Sequence, residues 1–191
     1  GDLNIGDSAS SFFGFTLNAG TSGSLIMDVA SGSASIDFLN SGTNGAANTI
    51  GAGITINDAI NIRSNNASVQ TFGGAITDGS ATLGITFNND VNGTAAAAAS
   101  DQGQFVLNSA NTYDGGTTIS DVRVSTGTAG AYGSAAVSIT GAGQAYPFGG
   151  THTNTFNLNS TGWVESAGNL GALRIEGATL SGTINLQRDS Q

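Results

Sequence analysis

The apolar residues of this 191-residue chain are arranged in short runs that step by two. Phe13-Phe15-Leu17, Leu25-Met27-Val29, Ala34-Ile36-Phe38, Ile54-Ile56, Ile60-Ile62, Leu83-Ile85-Phe87 and Phe105-Leu107 follow this rule. So do Val122-Val124, Val137-Ile139, Phe156-Leu158, Leu173-Ile175 and Ile184-Leu186. Gly, Asn, Asp and Ser punctuate the runs, and period-two runs rich in β-branched side chains between turn formers read as short strands. A helical stripe is hard to find anywhere. The alanine run Ala95 to Ala99, between Gly93-Thr94 and Ser100-Asp101, falls short of a stable helix and reads as a loop or one helical turn. Ser, Thr and Asn make up a third of the chain, which pulls toward disorder, but the apolar residues are patterned rather than scattered.

Strands this short suit a sandwich, a barrel or a β-solenoid, and internal repetition favours the last. Phe15-Thr16-Leu17-Asn18-Ala19, Phe105-Val106-Leu107-Asn108-Ser109 and Phe156-Asn157-Leu158-Asn159-Ser160 share one pattern, Phe-x-Leu-Asn-small. Gly74-Ala75-Ile76-Thr77 and Gly182-Thr183-Ile184-Asn185 share another. Their offsets fit no single period, so the repeats are imperfect and carry insertions. A solenoid needs Gly and Asn at corners where φ turns positive, and it lets Asn and Thr stack on equivalents one coil away. Both demands account for the 30 glycines and the Asn/Thr excess. With about 20 residues per coil and ~4.8 Å between stacked strands, the chain is expected to form a rod of about 40–45 Å.

Charge narrows the function. Thirteen acidic residues stand against four arginines (Arg63, Arg123, Arg174 and Arg188), with no lysine and a net charge of −9. Four scattered cations on an acidic chain cannot displace counterions from a nucleic acid or hold an anionic membrane. Cysteine is absent, which removes disulfides and thiolate metal sites. No apolar run approaches the roughly 18 residues of a spanning helix, and no basic segment followed by an apolar stretch opens the chain, so any signal peptide is expected to have been removed or not included.

The stretch Leu107-Asn108-Ser109-Ala110-Asn111-Thr112-Tyr113-Asp114-Gly115-Gly116-Thr117-Thr118-Ile119 resembles the autotransporter-associated β-strand repeat, with its Leu-x-small-x-Asn-Thr-Tyr-x-Gly-x-Thr-x-Ile/Val signature. Upstream, Gly73-Gly74-Ala75-Ile76-Thr77-Asp78-Gly79 is similar to that family's lead-in. Gly171-Ala172-Leu173-Arg174-Ile175 through Gly182-Thr183-Ile184-Asn185-Leu186 resembles a companion repeat. The resemblance covers roughly 72–140 and 170–188. It implies a right-handed parallel β-helix in the secreted passenger of a Gram-negative surface protein. The family's membrane barrel has no counterpart here, and the usual continuation after Val122-Arg123-Val124 is replaced.

Several residues invite a catalytic reading and have a structural one beside it. Gly6-Asp7-Ser8 has the look of an esterase or protease nucleophile, but a nucleophilic serine needs a histidine base oriented by a carboxylate. The only histidine, His152, has Gly149 where the esterase pattern wants Asp, and it follows the serine where the chymotrypsin-like order wants it before. Asp7-Ser8 therefore reads as a turn, and His152 as a surface-loop residue unable to form a zinc site alone. Asn88-Asn89-Asp90-Val91-Asn92 lacks calcium-loop spacing and reads as a turn or Asn ladder. Asp58 and Asp78, 20 residues apart, could stack as a carboxylate pair for polysaccharide hydrolysis. Trp163, Tyr113, Tyr132 and Tyr146 could stack on sugars if exposed, although such aromatics usually serve the core. Gly141-Ala142-Gly143 lacks the third glycine of a dinucleotide loop. Only Thr151-His152-Thr153-Asn154-Thr155 approaches the Thr-x-Thr array of an ice binder.

The expectation is one all-β segment spanning 1–191, a right-handed parallel β-helix (β-solenoid) with irregular coils, part of a longer surface or fibre protein. Its expected role is non-enzymatic: an extracellular stalk, fibre or self-assembling adhesive matrix component. The alternative is a secreted carbohydrate-binding or carbohydrate-cleaving β-helix. No catalytic, cofactor or metal residues are assigned and no cofactor is expected. Expected partners are further copies stacked end to end, or a surface glycan or neighbouring cell, with no nucleic acid and no membrane insertion by this segment.

Overall fold

The computed structural model describes residues 1–6, 14–21, 23–42, 46–79, 81–90, 103–165 and 168–187. Asp7-Ser8, Phe13, Val91-Asn92, the alanine run and Arg188 lie outside the described residues. Every regular element among them is a strand, and nearly every pairing is parallel.

The chain visits three sheets in rotation. β1 (Asp2–Ile5), β2 (Thr16–Leu17) and β3 (Ser24–Met27) make one round. β4 (Ala34–Gly42), β5 (Asn48–Ile50) and β6 (Gly53–Ile56) make the next, and β7 (Ile60–Asn66), β8 (Val69–Phe72) and β9 (Ile76–Asp78) a third. Then come β10 (Ile85–Asn88) with β11 (Gln104–Leu107), and β12 (Thr117–Ser120) with β13 (Arg123–Thr126). β14 (Val137–Gly141), β15 (Gln144–Pro147) and β16 (Thr151–His152) follow, and then β17 (Phe156–Ser160). β18 (Val164–Glu165) and β19 (Gly168–Asn169) form the one antiparallel pair, before β20 (Thr179–Leu180) and β21 (Ile184–Leu186). The first sheet has eight parallel strands in the order β1-β4-β7-β10-β12-β14-β17-β21. The second holds β2, β5, β8, β11, β13 and β15, the third β3, β6 and β9, and β16 pairs with β20.

Alternation within each strand sets one side inward, and parallel register then stacks inward residues into rows. Leu3, Ile36, Ile62, Phe87, Ile119, Ile139, Leu158 and Leu186 are successive register partners along the first sheet. The six inner members are buried. Leu17, Ile50, Phe72 and Leu107 form a matching row in the second sheet, and Leu25, Ile54 and Ile76 in the third. The first two sheets meet through their aromatic rings: Phe38 lies 6.1 Å from Phe72, and Phe87 5.1 Å from Phe105. Each such buried side chain stabilises the fold by about 1.5–3 kcal/mol.

The all-β, parallel expectation holds, and three finer readings are corrected. The return from one first-sheet strand to the next is 20 and 19 residues only at Thr117–Val137 and Val137–Phe156. At Asp2–Ser35 it is 33, so there are fewer layers than expected. Eight strands at ~4.8 Å span about 34 Å rather than 40–45 Å. Of the Phe-x-Leu-Asn copies, those ending in Leu17 and Leu107 share one row of the second sheet, whereas Phe156 lies in the first. Likewise Ile76 belongs to the third sheet and Ile184 to the first.

The Asn-Thr-Tyr-x-Gly-Gly-Thr stretch is a corner device. Asn111 is buried; its Oδ1 accepts the Ile76 N–H at 2.7 Å, and its Nδ2 donates to the Ala131 carbonyl, so one side chain ties three rounds together. The Tyr113 hydroxyl, wholly buried, lies 2.7 Å from Thr117 Oγ1, which donates to the Tyr132 carbonyl. Gly116 turns the chain at φ +90°, a conformation that suits a residue without a Cβ.

Candidate functional site: the outer face of the first sheet

The same alternation that sends Ile and Phe inward sends their neighbours outward, and on the first sheet those neighbours are nearly all small and polar. Asp2, Ser35, Asn61, Thr86, Thr118, Ser138, Asn157 and Asn185 are register partners in one row. Two positions further along each strand, Asn4, Asp37, Arg63 and Asn88 form part of a second row, and Ser120, Thr140 and Asn159 another part. With strands ~4.8 Å apart, the two rows make a comb of hydroxyls and amides.

The comb has two parts of different chemistry. Toward β1 it is ionic: Asp37 is buried and receives both Arg63 Nε (2.5 Å to Oδ1) and Arg63 Nη2 (2.9 Å to Oδ2). Ser35 Oγ donates to Asp2 at 2.8 Å beside it. From β10 onward the outward residues carry no charge. The hydroxyls of Thr86, Thr118, Ser138 and Thr140 have no hydrogen-bond partner among the described residues, and Asn185 Nδ2 donates to Asn157 Oδ1 at 2.9 Å. Inward and corner hydroxyls behave oppositely. Ser125, Thr126 and Ser160 each donate to a carbonyl of a neighbouring round at 2.7–3.0 Å. A shallow depression of about 480 Å³ lies at the junction of the two parts, with Arg63, Asn88, Asp90, Ser120 and Asp121 in its lining.

A second cluster lies on the outside of the second sheet. The Arg123 guanidinium sits 5.0 Å from the Trp163 ring and 5.8 Å from that of Tyr146, and Arg174 covers Tyr146 at 4.6 Å. Arg123 also bonds Glu165 at 2.8 Å and Gln104. Arg174 and the Tyr146 hydroxyl both donate to Glu176. Those hydrogen bonds, Tyr146 first and Arg174 second, hold the Glu176 carboxyl below the usual range, and the same contact raises the Tyr146 phenol. The donors and acceptors satisfy one another, so the cluster works as a clamp that fastens the segment carrying Trp163, Arg174 and Glu176 onto β13 and β15.

The residues singled out from the sequence are not brought together. His152 is fully buried in β16, contrary to a surface loop, because it takes the inward place between exposed Thr151 and Thr153. Its ring lies 5.4 Å from that of Tyr132, and its Nε2 lies 2.9 Å from the Gly149 carbonyl. Asp58 and Asp78 do not stack: Asp78 is the register partner of Ile56. Asp58 accepts the Val29 N–H at 2.8 Å and Asp78 the Asp114 N–H at 3.0 Å, so each holds a corner. Asn88 Oδ1 accepts the Asp90 N–H at 3.0 Å, an Asx turn. Gly141-Ala142-Gly143 forms the tight turn from β14 to β15, with Ala142 N–H donating to Asp121. Tyr113, Tyr132 and Trp163 are buried, and only Tyr146 is partly open to solvent. Among the described residues no three His, Cys, Asp or Glu side chains gather closely enough to hold a metal ion.

The sequence predicts that Asn and Thr stack one coil away but not which residues form the comb, because its members are the unremarked letters between the apolar ones. Ser-Ile-Thr (138–140) and Asn-Leu-Asn (157–159) become neighbours only once register is known. No protein-family model matches the chain, and neither a curated protein nor a solved structure matches it.

Proposed function

We propose that the three parallel sheets wind as one right-handed β-helix. In this reading the protein is a non-enzymatic structural or adhesive segment of a bacterial surface protein of the autotransporter-passenger kind, working outside the cell. The rotation of the chain through the sheets supports the winding, and parallel crossovers are right-handed in nearly all proteins. The corner formed by Asn111, Tyr113 and Gly116 gives the repeat resemblance a mechanical role.

The observation that carries the structural reading is the first sheet itself, eight parallel strands whose outermost members, β1 and β21, have an unpaired edge among the described residues. Apolar side chains stand open at both: Phe15 and Leu17 at one end, and Ile184 and Leu186 at the other, with Leu186 71% exposed. Open strand edges with apolar neighbours are templates for further strands. The reading takes a further β-coil as the occupant, from the same polypeptide or from a second copy stacked end to end. Sedimentation velocity and electron microscopy over a concentration series test it. Growing filaments that Leu186→Lys shortens are expected, and isolated short particles at every concentration would count against end-to-end stacking.

A further inference from the structure

The charge-free part of the first sheet's outer face has a use that end-to-end stacking leaves open. We propose that the strip from Thr86 to Asn185 is a docking surface for a neutral polysaccharide laid across the strands. This goes beyond the structural reading and depends only on the parallel register, not on what occupies the ends.

Three observations single out this occupant. First, the strip presents the same groups that a polysaccharide presents. Thr86, Thr118, Ser138 and Thr140 offer hydroxyls with no partner among the described residues, and beside them the Asn157 amide, whose Oδ1 is held by Asn185, keeps its Nδ2 as a donor. Thr and Ser are short, and Thr is stiff at χ1, so little freedom is lost when they bind. Second, the charge distribution selects a neutral polymer. The chain carries −9 overall, yet the strip has no charged residue, while Asp90 and Asp121 stand at its border. An anionic polysaccharide would be repelled by the acidic body, and a second copy laid face to face would bring two such bodies together. Third, the strip is a repeating array rather than an enclosed cavity, and it carries no aromatic platform. A single sugar gains little there, whereas a chain that meets a hydroxyl on every strand adds weak bonds in series. Binding should therefore rise with polymer length.

The test is co-sedimentation of the full chain with insoluble cellulose and chitin, and affinity electrophoresis in a soluble neutral β-glucan, with alginate as the anionic contrast. Retention by a neutral polymer is expected, weaker for short oligosaccharides, with no retention by alginate. Ser138→Glu should weaken it about tenfold or more, as should the milder combination Thr118→Ala, Ser138→Ala and Thr140→Ala, which keeps the assay readable if the glutamate disturbs folding. Thr71→Glu, on the outside of the second sheet, should leave retention unchanged, with circular dichroism showing each variant folded. Absence of retention by every neutral polymer overturns the proposal. So does equal loss in Thr71→Glu, or strip variants that alter only self-association or only ice-crystal shape. Leu186→Lys probes the ends alone, so failure of stacking and failure of polymer binding are separate results.

Discussion

The interior changes character along the molecule. From β4 to β11 its middle is filled by Phe38, Phe72, Phe87 and Phe105, whose rings contact one another at 5.1–6.4 Å, and the buried polar pair Asn48–Gln70 bonds to itself at 2.8 Å. From Asn111 to Ser160 it contains Tyr113, Tyr132, His152, Asn154 and Phe156, and most of these reach a backbone carbonyl or a hydroxyl. Asn154 alone donates to Gly133 at 3.0 Å and Ala135 at 2.6 Å. Tyr132, His152 and Asn154 lie where successive first-sheet strands are 20 and 19 residues apart, while Asn111 and Tyr113 close the 32-residue return from Ile85 to Thr117. Short returns leave no room for long loops, so corner carbonyls turn inward and buried side chains must satisfy them. Apolar packing tolerates variable loops, while tight corners demand specific hydrogen bonds.

Substitutions in the two regions should separate these modes. Phe105→Ala should have the largest effect, a loss of about 3–5 kcal/mol in denaturant unfolding, because it leaves a cavity facing three other rings. Asn111→Ala should cost about 2–3 kcal/mol by stranding the Ile76 N–H and the Ala131 carbonyl, with hydrogen exchange quickening in the rounds on either side. A much smaller loss would mean that water replaces the amide.

Tyr132→Phe should cost only about 1 kcal/mol near neutral pH, since one hydroxyl bond to the Val124 carbonyl at 3.0 Å disappears. Its effect reverses in alkali. Burial raises the Tyr113 and Tyr132 phenols above the ordinary value of 10.0. The folded state therefore holds these protons more tightly than the unfolded chain, and this contribution is complete below pH 10.0 and lost as pH climbs beyond it. Melting temperature against pH should fall steeply in the wild type above that point and less steeply in Tyr113→Phe/Tyr132→Phe. Smallest of all, Arg123→Ala should shift Trp163 fluorescence toward that of a wetter indole while changing global stability by about 1 kcal/mol or less.

The inward rows were readable in advance. Ile36, Ile62, Phe87, Ile139 and Leu158 each belong to a run that steps by two, and each is buried, while Ile119 fills its place in the row without belonging to such a run. Which sheet a run joins was not readable. Phe105-x-Leu107 and Phe156-x-Leu158 have the same local pattern in different sheets, because membership depends on the chain between runs. That chain is two residues from Ser120 to Arg123 but fifteen from Asn88 to Gln104. His152 was misplaced because a lone imidazole among threonines gives no sign that its strand faces Tyr132. The polar comb stayed hidden because it is a property of register, and register joins residues that no local pattern relates.

That register also sets how the chain finds its structure. Each first-sheet strand pairs with one between 19 and 33 positions away, and never with the far end of the molecule. Such separations give a relative contact order of roughly 0.1–0.15, below that of most all-β sandwiches, so loop-closure entropy is met in modest instalments. Folding should start wherever one pair of rounds first locks and spread to both sides, while a terminal round frays without unseating the centre.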